Sequence, residues 1–152
     1  MPDWKKPFQK IVIGKGKKIK SWDELAILTI GPIGNYATKA ITEVEKEGIS
    51  VAHYDMRFVK PIDEEMLHEV FSKFSKVITV EDGCVMGGMG SAVVEFMADH
   101  NYSAQVKRLG IPDEIIEHGE QPELYAECGY DDKAIAAAVR ELIGSKKNAL
   151  SA

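Results

Sequence analysis

Cysteine is scarce in this chain: Cys84 and Cys128 are its two, and they form no CxxC pair. Isolated thiols fit a reducing compartment and give no metal-ligand spacing. The four histidines (His53, His68, His100 and His118) fall in no HxxxH or HxH pattern, so a metal site built from this chain alone is not expected. Long hydrophobic runs are absent too; none approaches the ~18–20 residues of a membrane span. The N-terminus, with Pro2, Trp4 and Lys5, has no basic segment followed by an apolar one, and so no signal-peptide pattern. Positive charge is in deficit, 19 Lys and Arg against 24 Asp and Glu, for a net charge of −5. That balance argues against a nucleic-acid footprint, which needs a basic patch.

What is present is ordinary for a globular chain. At 152 residues, 45% apolar and 28% charged, one domain with one real core is expected. The stretch that organises it runs from Lys76 to Glu95. Val77-Ile78-Thr79-Val80 is a short β-branched run that reads as a buried strand. Glu81, Asp82 and Gly83 follow, then the glycine loop Gly87-Gly88-Met89-Gly90-Ser91, then an amphipathic helix with Ala92, Val93, Phe96 and Met97 on one face. A strand, a glycine loop and a helix start put the loop at the carboxyl end of the strand, where open α/β sheets bind their ligands.

The same unit recurs along the chain. Residues 1–10, basic and broken by Pro2 and Pro7, read as a linker or arm. Residues 11–20 read as two short strands around a Gly14-Lys15-Gly16 turn, with lysines guarding an edge. Leu25 to Ile30 is a strong strand ending at Gly31-Pro32. A helix follows, with Ala37, Ala40, Ile41 and Val44 on one face, then a strand from about Ser50 to Asp55. Asp63 is placed to cap the next helix, with Glu64 and Glu65 facing the positive end of its dipole. Met66, Leu67, Val70, Phe71 and Phe74 form that helix's buried stripe. A strand from about Ala104 to Leu109 ends at Gly110-Ile111-Pro112-Asp113. A short helix starts near Pro122. The last helix is capped by Asp131, with Ile135, Ala138, Val139, Leu142 and Ile143 on one face; it stops near Gly144, leaving 145–152 as a disordered tail. The alternation predicts a three-layer α/β/α sandwich over 11–144, mostly parallel, with the first hairpin as an antiparallel edge.

Several groups meet on the predicted rim. Glu81 and Asp82 are adjacent, so a strand sends them to opposite faces, which suits paired acid–base work poorly. Ion pairing of these acids with Arg57 across neighbouring strand ends is expected instead. The backbone N–H groups of the loop at Gly87, Gly88, Gly90 and Ser91 are free in this reading and can hold an anion. Alternatively the glycines let the helix pack closely on the sheet. His118, beside Gly119 in an irregular segment, and Asp113 complete the candidate rim. Cys84 is expected to be inert. No GxxxxGK[ST] phosphate loop is present, and Gly88-Met89-Gly90-Ser91-Ala92-Val93 carries Val where a dinucleotide fingerprint needs its third glycine. Glu81-Asp82-Gly83 does not match the Gly-Asp-Gly…Asn motif that holds a metal and thiamine diphosphate.

The motifs Asp55-x-Arg57-Phe58-Val59-Lys60-Pro61-Ile62-Asp63, Val77-Ile78-Thr79-Val80-Glu81-Asp82, Met86-Gly87-Gly88-Met89-Gly90-Ser91-Ala92-Val93, Leu109-Gly110-Ile111-Pro112-Asp113 and Glu117-His118-Gly119 together resemble the C-terminal, transketolase-type domain of the 1-deoxy-D-xylulose-5-phosphate synthases. Ile13-Gly14-Lys15-Gly16 resembles the segment that enters that domain. The first two motifs alone fit any transketolase-type C-terminal domain, including that of a 2-oxo-acid dehydrogenase beta subunit. Cys84 departs from the family pattern. The resemblance implies an enzyme that condenses pyruvate with glyceraldehyde 3-phosphate, releases CO2 and feeds isoprenoid precursor synthesis. It implies thiamine diphosphate and magnesium as cofactors, held by upstream domains of the same enzyme and not by this segment, and a cytoplasmic homodimer without nucleic-acid or membrane partners. Arg57, Glu81, Gly87, Gly88, Gly90, Ser91, Asp113 and His118 would then face the rest of the enzyme. A free-standing module that binds a phosphorylated ligand at Gly87–Ser91 is the rival expectation.

Overall fold

The computed structural model describes Lys5, Pro7 and residues 9–149, with side chains through Gly144. Five strands form one sheet: β1 (Lys17–Lys20), β2 (Leu25–Ile30), β3 (Val51–Asp55), β4 (Lys76–Cys84) and β5 (Gln105–Ile111), in the order β1-β3-β2-β4-β5. The pairs β2–β3, β2–β4 and β4–β5 are parallel, and β1 lies antiparallel on the outer edge of β3. The helices are α1 (Gly34–Glu45), α2 (Glu64–Lys73), α3 (Met89–Asp99), α4 (Gln121–Glu127) and α5 (Asp132–Ala149). The predicted three-layer sandwich with one antiparallel edge strand is the observed architecture.

Strand alternation explains the layers. On β2, Leu25 and Ile27 point to one face and Ala26 and Leu28 to the other, and all four are fully buried. The first face is covered by α1 and α5 through Ala37, Ile41, Val44, Ile135, Val139 and Leu142. The second is covered by α2 and α3 through Leu67, Val70, Phe71, Val93 and Phe96. Asp63 caps α2 by accepting the Met66 N–H at 3.2 Å, and its other oxygen accepts the Gly16 N–H at 2.9 Å. One buried carboxylate therefore fixes both the start of α2 and the approach to β1.

Two local expectations are corrected. Residues 11–13 are not half of a hairpin: Ile11, Val12 and Ile13 are 56%, 58% and 73% exposed and lie in no strand. The bond from Lys15 N–H to the Val12 carbonyl closes a turn there, and β1 satisfies its backbone on β3 instead. The last helix does not stop near Gly144 but continues to Ala149. Residues 150–152 and most of the 1–10 arm lie outside the described residues.

Candidate functional site at the carboxyl edge of the sheet

The strand order reverses between β2 and β4, and the carboxyl ends of those strands carry the polar groups that sequence reading singled out. Glu81 and Asp82 do point to opposite faces, and each is captured by a different helix. Glu81 is 4% exposed, and its carboxylate accepts the Met89 N–H at 2.6 Å and the Gly90 N–H at 2.8 Å. The residue before α3, Gly88, offers no side-chain cap, so a side chain from the neighbouring strand does that work. The close approach needs glycine: a Cβ on Gly88 would lie 2.1 Å from Glu81 Oε2 and 2.4 Å from the Cys84 carbonyl. A Cβ on Gly90 would lie 2.5 Å from Thr79 Oγ1.

The loop amides that sequence reading left free are therefore engaged inside the chain. The Gly87 N–H donates to Ser91 Oγ at 3.0 Å, and the Ser91 hydroxyl donates to the Val85 carbonyl at 3.0 Å. Arg108 on β5 donates to both Ser91 Oγ and the Val85 carbonyl, at 2.9 and 3.0 Å. The anion position at the head of α3 is thus occupied by the Glu81 carboxylate. Among the described residues, no cluster of three His, Cys, Asp or Glu is placed to hold a metal ion.

The expected ion pairing of Arg57 with Glu81 or Asp82 is also corrected. Arg57 follows β3 and Glu81 lies on β4, and β2 separates the two strands. Arg57 stands instead beside Asp55, with Nε 3.9 Å from Oδ2, and its own N–H donates to Asp55 Oδ1 at 3.0 Å. That contact holds Arg57 at φ 57, a left-handed conformation unusual for a residue with a side chain. Nearby on β3, His53 is buried against Thr29 at 2.9 Å, and burial pushes its imidazole below its ordinary value.

On the other face, Asp82 is the centre of an arrangement that sequence reading missed. Tyr125 Oη donates to Asp82 Oδ2 at 2.5 Å and Tyr130 Oη to Oδ1 at 3.0 Å. Gln121 Nε2 donates to the Tyr125 oxygen at 2.9 Å. Burial, and then the adjacent Asp82 carboxylate, raise both phenols above their ordinary range, so both stay protonated donors. The two tyrosines, with Asp82, Ile111, Ile116, Glu117, His118, Leu124 and Cys128, line a cavity of about 450 Å³ beneath the 112–120 segment. His118 thus joins Asp82 at this cavity, while Asp113 is exposed and outside its lining. Cys84 is exposed. A general sequence signal exists for such a cluster: a buried tyrosine needs a partner for its hydroxyl.

Residues 14–135 match the model of the transketolase C-terminal domain. The chain is 65% identical over 144 residues to the 1-deoxy-D-xylulose-5-phosphate synthase of Cytophaga hutchinsonii, covering 95% of this chain and 23% of that protein. It is 53% identical over 141 residues to the synthase of Parabacteroides distasonis, covering 93% of this chain and 22% of that protein. Thus the chain spans under a quarter of the length of these curated relatives. A solved structure described as a split gene transketolase, inactive beta4 tetramer, superposes with a TM-score of 0.81 at 31% identity, over 92% of this chain and 45% of that one. With the family model matched over residues 14–135 and the fold superposing on that solved structure, the chain belongs to the transketolase C-terminal domain family.

Proposed function

We propose that this chain is the C-terminal domain of a 1-deoxy-D-xylulose-5-phosphate synthase. The whole enzyme would join pyruvate to glyceraldehyde 3-phosphate with loss of CO2, for isoprenoid precursor synthesis, as a cytoplasmic homodimer using thiamine diphosphate and magnesium. The domain itself is a folded support, inactive alone, which docks on the upstream domains and helps to assemble the dimer. The observation that carries this reading is the 65% identity spread over 95% of the chain to a synthase of which it spans 23%.

The geometry supports a supporting role. The glycine loop is closed by Glu81, and Asp82 is held by two tyrosine hydroxyls. Large apolar side chains nevertheless stand in solvent, among them Met86 at 62% and Ile115 at 99% exposure, as a docking face would leave them. In this reading Arg57, Asp113 and His118 face the rest of the enzyme. A 2-oxo-acid dehydrogenase beta subunit shares the domain family, but the named relatives are synthases. The phosphate-loop alternative is disfavoured by the carboxylate already seated at Met89 and Gly90.

The test is complementation. The Cytophaga relative, truncated to remove the part this chain matches, is mixed with the chain and assayed for CO2 release from pyruvate and for co-elution on size exclusion. Neither piece alone is active, and the mixture is. Decarboxylation or tight thiamine diphosphate binding by the chain alone overturns the proposal, and so does a folded pair that neither associates nor turns over.

A further inference from the structure

His53 is a buried polar residue that the contacts of Glu81 and Asp82 do not use. It is 3% exposed, and its Nε2 lies 2.9 Å from Thr29 Oγ1. The Thr29 hydroxyl donates to the Tyr54 carbonyl at 3.4 Å, so its oxygen accepts the His53 Nε2–H. Burial pushes the ring below its ordinary value, so at neutral pH it is uncharged and Nδ1 is a bare acceptor. Among the described residues nothing donates to Nδ1. Nor is Nδ1 sealed in, since the closed-off side-chain atoms without a hydrogen-bond partner are Glu45 Oε1 and Thr79 Oγ1. It therefore opens onto the cavity of about 210 Å³ that the ring lines, at the carboxyl ends of β2 and β3 beside the head of α1.

The other walls set the chemistry of an occupant. Asp55, two residues further along β3 and so on the same face, adds a carboxylate to the lining. Its Oδ1 takes the Arg57 N–H at 3.0 Å, and its Oδ2 lies 3.9 Å from Arg57 Nε. Asp55 is the one charged group of the lining, and Arg57 answers it, so the cavity offers no net charge to an ion. Thr38 Oγ1 donates to the Gly34 carbonyl at 2.9 Å and keeps lone pairs of its own. The Asn35 amide supplies N–H donors, and Ile19 on β1 supplies an apolar wall.

We propose that this cavity binds a small neutral molecule with two neighbouring hydroxyls, one donating to His53 Nδ1 and the other to Asp55, with an Asn35 N–H donating to a diol oxygen. A hydroxyl gives and takes at one atom, which a lining of fixed acceptors beside an amide donor requires. The volume is below that of drug-sized sites and suits a ligand of a few carbons. The site is built from β1, β2, β3 and α1 of this chain alone, so its test is independent of the synthase assignment.

The test is an NMR titration of the full chain with cis-1,2-cyclopentanediol. The controls are 1,2-dimethoxyethane, which has the oxygens without the donors, and n-butylammonium, which has donors and a charge. Saturable amide shifts are expected at Asn35, His53 and Asp55 with the diol, with a dissociation constant on the order of ten millimolar, and none with either control. The ¹⁵N signal of His53 Nδ1 should move upfield as it accepts a hydrogen bond. His53→Gln can keep a side-chain N–H on Thr29 while removing Nδ1, and should weaken binding at least fivefold. Asn35→Ala, at an exposed position, should weaken it two- to threefold and decides the matter if His53→Gln does not fold. The proposal is overturned if the diol gives no saturable shift, if either control binds as tightly, or if a folded His53→Gln or Asn35→Ala protein keeps the full affinity.

Discussion

Gly88→Ala is the sharpest test of how Glu81 holds α3. Gly88 has φ −87, which any residue adopts, so backbone strain is not at issue. Space is: the new methyl would sit 2.1 Å from Glu81 Oε2 and 2.4 Å from a backbone carbonyl that cannot swing away. The carboxylate must leave the Met89 and Gly90 N–H groups, and each bond to a charged acceptor is worth about 1.5–3 kcal/mol. Allowing for partial relaxation, the expected loss is about 3–5 kcal/mol, or a fall in melting temperature of roughly 6–20 °C for a domain of this size. Gly87→Ala is the control. It has open space but φ +76, so it should cost only about 1–2 kcal/mol. Urea unfolding followed by circular dichroism measures both, with equal m-values as the check on two-state behaviour. The double variant Glu81→Ala/Gly88→Ala should lose less than the sum of the two single losses, because the loss of the carboxylate's two bonds is counted in both single variants. A Gly88→Ala protein within about 1 kcal/mol of wild type, or no worse than Gly87→Ala, refutes the reasoning.

Two further outcomes are expected. Asp63→Ala should cost about 2–4 kcal/mol in urea unfolding, since it frees both the Met66 and Gly16 N–H groups, and Asp63→Asn should recover about half. Tyr125, Tyr130 and Tyr54 should titrate late in near-ultraviolet absorbance: burial and then Asp82 raise the first two, while burial and then Glu69 take Tyr54 to about 12. The folded state binds these protons more tightly than the unfolded chain, so their contribution is full below about pH 10 and lost as pH rises through the folded values. Tyr130→Phe should remove one late phenol.

Much of the fold was legible because its signals are local. The buried runs Leu25–Ile30 and Val77–Val80, the stripe Leu67, Val70 and Phe71, and the Asp63 cap each lie within one or two turns of chain. The site was less legible because its contacts are long-range. Whether Arg57 reaches Glu81 or Asp82 depends on which strand lies between β3 and β4, and no local pattern states that β2 does. The partners of Asp82 lie 43 and 48 residues further on and meet it only once α4 has packed over the end of β4. In sequence the glycine loop leaves two meanings open, ligand or close packing; in the fold Glu81 is seated against it. Ile11–Ile13 misled because β-branching marks strand propensity, whereas strand formation needs a free edge within reach.

Glu81 seated at the head of α3 has a consequence for any anion that approaches this domain. The carboxylate is tied to the same chain as the amides it occupies, so its local concentration far exceeds that of a metabolite diffusing in from solution. An incoming phosphate would have to evict a resident that never leaves the neighbourhood. A glycine-rich bend next to an acid can therefore be a lock already fitted with its own key.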